Sequence, residues 1–134
     1  MWLNRRLMDS PVYFCLCLTE KQFKKKLKHL KVQDELAFVN CGSDATTYYF
    51  ERKGKTAAIV CFKEDSDRVP EQNIALLVHE AVHIWQQIKE TIGEQEPSKE
   101  FEAYSIQSIT QELIQHYFKN ERGKNGKQGK GSGN

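Results

Sequence analysis

The sequence predicts a small α+β domain, and three observations carry that prediction. Short runs rich in β-branched, aromatic and cysteine residues, at 12–18, 46–52 and 56–62, read as strands. Two longer segments, beginning at Pro70 and at Ser98, repeat their apolar residues at helical spacing. With 134 residues the chain is long enough for one core and short for two.

Taken in order, residues 2–8 read as a short helix and 12–18 as the first strand. Thr19-x-x-Gln22 is a capping-box signature that opens a helix to about residue 30. Phe23, Leu27 and Leu30 form its one apolar stripe, and six lysines cover the rest. Strands at 35–40, 46–52 and 56–62 follow, separated by turns at 40–44 and Lys53-Gly54, so the sheet is expected to be mostly antiparallel. Pro70 opens a helix to about residue 92, Gly93 and Pro97 mark a turn, and Ser98 starts a helix to about residue 120. Residues 1–120 are therefore expected to form the domain. The Lys- and Gly-rich residues 121–134 hold no apolar side chain and are expected to be a disordered tail.

The chemistry concentrates in His79-Glu80-Ala81-Val82-His83. On a helix this spacing sets both imidazoles on one side, where they can bind one zinc ion, with an open position for water. Glu80, one residue from His79, lies beside that ion and can take the water's proton as general base. Such a five-residue pattern arises by chance on the order of once in a hundred chains of this composition, so its surroundings decide. At about 100° per residue, Ile74, Leu77, Val78, Ala81, Trp85 and Ile88 gather on one face. Gln72, His79, His83, Gln86 and Glu90 gather on the other, so the histidines are not core residues.

A third ligand is expected from the next helix. Glu102 falls within the stripe Ile106, Ile109, Leu113 and Tyr117, where a carboxylate is costly unless paired or bound to a cation. Its other reading is a first-turn glutamate at the positive end of a helix. His116 shares the stripe but lies about 21 Å further along a straight helix, too far for the same metal.

His79, Glu80, His83 and a helix-borne Glu102 together resemble the zincin metallopeptidases whose third ligand is glutamate, the gluzincin-like enzymes including the ImmA/IrrE-like group. The resemblance covers roughly residues 45–118 and includes the strand 57–62 before the active-site helix. It implies a minimal zincin-like domain, one Zn²⁺ per chain and hydrolysis of peptide bonds in a protein or peptide substrate. It also implies main-chain pairing of an extended substrate with the strand beside the helix, at Ala58, Ile59 and Val60. Ile106 stands where the thermolysin-like enzymes carry an aspartate that supports a histidine. Tyr48 and Tyr49 are the candidates for stabilising the oxyanion, because strand alternation points one of them toward the cleft. Peptide deformylases also use HExxH but take a cysteine as third ligand; their Glu-Gly-Cys segment is absent, the residues here being Asn40-Cys41-Gly42.

Composition narrows the alternatives. No segment is apolar for long enough to span a bilayer, no targeting segment is expected, and the four cysteines lack paired CxxC spacing, which together suggest a cytoplasmic protein with reduced thiols. The net charge is +2; residues 119–134 alone carry +4, so the remainder stands at −2. The second class of function is a non-enzymatic module that binds nucleic acid or protein through the basic helix 20–31 and the tail. An amphipathic helix packed on the sheet is the simpler account of those lysines.

Overall fold

The computed structural model describes residues 12–132, with side chains to residue 120. In chain order it contains β1 (Val12–Cys17), α1 (Glu20–His29), β2 (Ala45–Arg52), β3 (Lys55–Phe62), α2 (Pro70–Thr91) and α3 (Lys99–Ser132), an α+β arrangement. The helix expected at residues 2–8 lies outside the described residues.

The sheet has three strands in the order β1-β3-β2. β1 pairs with β3 in parallel, from Val12 opposite Thr56 to Cys17 opposite Cys61. β2 pairs with β3 antiparallel, through a two-residue turn at Lys53 and Gly54. Both turn residues have positive φ, 52° and 77°, the backbone of the tight turn whose twist matches that of its strands. The sheet is thus mixed: α1 returns the chain to the end where Leu30 meets Arg52, and residues 31–44 carry it forward again, so that β2 runs back and β3 runs alongside β1.

Central position explains the composition of β3. Every residue from Thr56 to Phe62 is buried, since helices or loops cover both faces. On one face Phe14, Leu16, Ala58, Val60 and Phe62 pack against Leu77, Ala81, Ile84, Trp85 and Ile88 of α2 and Ile109 and Leu113 of α3. On the other, Cys15, Cys17, Ile59 and Cys61 meet Phe23 and Leu27 of α1, with Leu36, Phe38, Val39, Tyr48 and Phe50 around them.

The strand expected at 35–40 does not form; residues 31–44 are an irregular segment. Its apolar side chains still pack on the α1 face, but side chains of β2 serve its backbone in place of a ladder. Tyr48 donates its hydroxyl to the Ala37 carbonyl at 2.5 Å, and the Asn40 N–H donates to Thr46 Oγ1 at 2.9 Å.

The helix ends follow local chemistry. Thr19 Oγ1 accepts from the Gln22 N–H at 3.1 Å, and Gln22 Oε1 accepts from the Leu18 N–H at 2.8 Å. Pro70 is the first residue of α2, and Gln72 Oε1 accepts from the Val69 N–H at 3.0 Å. Gly93, at φ 73°, ends α2: its N–H reaches the Glu90 carbonyl, and the Glu94 N–H reaches that of Lys89. Ser98 Oγ accepts from the Phe101 N–H at 3.2 Å and starts α3. α3 continues to Ser132, through the segment that composition alone leaves without structure. Once a helix is nucleated on a packed segment, each added residue gains one backbone hydrogen bond without needing an apolar face.

Candidate metal centre

α2 lays the motif along the sheet, and 3.6-residue periodicity sorts its side chains. Leu77, Ala81, Ile84, Trp85 and Ile88 go to the core; His79 and His83 go to solvent. Their Nε2 atoms face each other at 3.1 Å, with the rings nearly perpendicular. His83 Nδ1 lies 3.0 Å from Gln86 Oε1. An amide oxygen can only accept, so Nδ1 carries the proton and Nε2 presents its lone pair to the space shared with His79.

At that separation His83 Nε2 accepts a hydrogen bond from His79 Nε2–H, or, in the other tautomer of His79, both lone pairs face one cation. Zinc–nitrogen bonds of about 2.0–2.1 Å at a tetrahedral angle would set two nitrogens roughly 3.3–3.4 Å apart. The observed spacing is within a few tenths of an ångström of that, and hydrogen bonding of the remote ring nitrogen is how metal-binding histidines are usually oriented.

Glu80 is 6% exposed and faces β2. Its Oε2 accepts the Thr47 hydroxyl at 2.5 Å, a charge-assisted bond that joins α2 to β2 across 33 residues of sequence. Tyr49, two residues on and on the same face of β2, is near enough to sense that carboxylate. Burial first, and then the charge of Glu80, push its phenol up to about 12. Tyr49 is therefore a neutral hydroxyl donor at physiological pH.

Tyr48 is elsewhere. Strand alternation turns it to the α1 face, where its ring stacks on Phe23 at 5.3 Å and its hydroxyl is held by Ala37. Of the two tyrosines only Tyr49 reaches the site.

Glu102 enters the region through Trp85 rather than through the imidazoles. Its Oε2 accepts from the Trp85 Nε1–H at 2.9 Å, and Trp85 is 2% exposed, edge-on to Phe101. The carboxylate in the apolar stripe has thus found a neutral donor. Among the described residues, no three of His, Cys, Asp or Glu stand together as a cation-holding group. His79 and His83 are brought together; Glu80 is held by Thr47, and Glu102 by the core residue Trp85.

The expectation for Ala58, Ile59 and Val60 needs correcting. β3 is the central strand, so β1 and β2 already take both of its edges and no extended peptide can pair with it. The outer edge of β2 can accept one: among the described residues it has no backbone partner on that side, and it carries Thr47 and Tyr49.

Three contributors escaped sequence reasoning. Gln86, at i+3 from His83 on the same helix face, was within reach of it. Thr47 and the indole of Trp85 give no such signal, because their partners come from other elements. No protein-family model, curated protein or solved structure matches the chain.

Proposed function

We propose that this protein is a zinc-dependent metallopeptidase, a small zincin of the gluzincin-like, ImmA/IrrE-like kind, acting on an intracellular protein or peptide. The supporting observation is the pair of Nε2 atoms facing each other at 3.1 Å on the helix that also carries the buried Glu80. His79 and His83 are two of the ligands in this reading and Glu102 the third, once its carboxylate turns from the Trp85 indole that holds it here.

Zinc held by these residues would supply a Lewis acid for the scissile carbonyl and a water whose pKa is brought near 7. Glu80 accepts that water's proton and returns it to the leaving amine. Thr47 fixes Glu80 Oε2, which leaves Oε1 to move the proton. Tyr49 donates its hydroxyl toward the oxyanion as charge develops. The substrate lies extended along the outer edge of β2, which sets its main chain beside Thr47 and Tyr49.

A cytoplasmic setting belongs to the same reading, supported by four free cysteines, three of them buried. No helix among the described residues is long and apolar enough to cross a membrane.

Metal analysis tests the proposal. Purified protein should hold about one equivalent of zinc, lost in His79→Ala and weakened in Glu102→Ala. Glu80→Gln should keep the metal and abolish cleavage of an unfolded protein substrate. Protein that folds without metal, and takes up none when zinc is supplied, would overturn it.

A further inference from the structure

The second basic feature of the chain lies away from the HExxH motif, where α1 meets the end of β1 and α3. A cleft of about 540 Å³ opens there, within the size range of small-molecule sites. Gln22, Lys25, Lys26 and His29 line one wall, and His116 and Asn120 the other, over a floor of Leu16 and Cys17.

The helical periodicity of α1 builds the first wall. Phe23 and Leu27 point into the sheet, so positions 22, 25, 26 and 29 fall together on the flank turned toward α3. The second wall comes from one turn of α3, with His116 and Asn120 four residues apart. Asn120 is fixed by donating its side-chain N–H to the His116 carbonyl at 3.0 Å.

Charge selects the ligand. The lining holds two ammonium groups, two imidazoles and two amides, and no carboxylate. Lys24, on the neighbouring flank, pairs with Glu20 at 3.5 Å; among the described residues Lys25 and His29 make no such pair. His116 anchors the second wall: one ring nitrogen bonds the Leu16 backbone, the other is buried, and burial first, then Lys119 and Lys26 nearby, hold its pKa below the ordinary value. A solvated lysine face needs neither an opposing wall nor buried imidazole.

We propose that this cleft binds the phosphate group of a small molecule, with Lys25, Lys26 and His29 against the anion and the amides of Gln22 and Asn120 completing its hydrogen bonds. The site is independent of the metal centre and stands or falls without it.

The test is an NMR titration of the full-length protein with inorganic phosphate, pyrophosphate and adenosine monophosphate, at constant ionic strength. Saturating shifts are expected in the amides of residues 16–29 and 116–120. Lys25→Gln and His29→Gln change exposed side chains and should fold; each should weaken binding by roughly tenfold, the usual cost of one charged hydrogen bond. Lys24→Gln, outside the cleft, should leave binding unchanged. Shifts that stay linear with concentration, or fall equally in all three variants, would overturn the site. So would a preference for a long oligonucleotide weakened equally by Lys24→Gln and Lys25→Gln, since that marks diffuse attraction to a polyanion.

Discussion

The two faces of the sheet are built from different chemistry. The α1 face is a neutral core in which Phe23 stacks on Tyr48 and packs against Phe38, beside the thiols Cys15, Cys17 and Cys61. The α2 face takes in carboxylates: the buried Glu80 against Thr47 and the half-buried Glu102 against Trp85. A buried carboxylate lowers stability unless donors satisfy it, so the α2 face gives up stability that the α1 face keeps. That cost falls on the face whose helix carries the two facing imidazoles, the distribution expected when one side of a fold is shaped by chemistry and the other by packing.

The largest effects should come from each face's principal aromatic. Phe23→Ala and Trp85→Ala each remove a fully buried ring and should destabilise by about 3–5 kcal/mol in urea denaturation. The faces should separate in a second measurement: Trp85→Ala also frees Glu102 and should change zinc affinity, whereas Phe23→Ala should not. Equal changes in zinc affinity would erase the distinction.

Trp85→Phe isolates the polar part. It keeps an aromatic ring against Phe101 but removes the N–H that Glu102 accepts, and should cost about 1–3 kcal/mol. Thr47→Val removes the donor to Glu80 at nearly constant volume and should cost a similar amount, with Thr47→Ser restoring most of it. If Thr47→Val is neutral by urea denaturation, Glu80 is not held from the sheet.

These pairs also mark the limit of what could be read from residue order. The helix of the motif, its apolar face and the turn at Gly93 were legible, because periodicity and caps are local. The faces of β2 followed from alternation, but which tyrosine met Glu80 depended on register. β3 carried its central position in an unbroken apolar run, which equally fits any covered strand. The irregular course of residues 35–40 was hidden, because β2 side chains hold that backbone. Glu102 was legible as a carboxylate in need of a partner; that the partner is an indole 17 residues earlier was not.

The smallest effect expected is in alkali, and it compares the faces by titration. Burial pushes the Cys61 thiol on the α1 face well above its ordinary 9.0, with the thiol of Cys17 and the charge of Glu80 adding to it. Tyr49 on the α2 face is raised from 10.0 to about 12. In both, the folded state holds its proton more tightly than the unfolded chain. The associated stability is therefore complete below the unfolded value and is lost as pH rises through the folded one. Stability should begin to fall near pH 9 as the unfolded chain's thiol ionises, and fall further between pH 10 and 12 as its phenol does. Urea midpoints measured across this range should show Cys61→Ala reducing the earlier loss, to which the raised thiol of Cys15 also contributes, and Tyr49→Phe reducing the later one, to which Tyr48 contributes. A single loss unchanged by either substitution would mean that neither group is shielded in the folded state, and the contrast between a neutral face and a charged one would no longer extend to their titration.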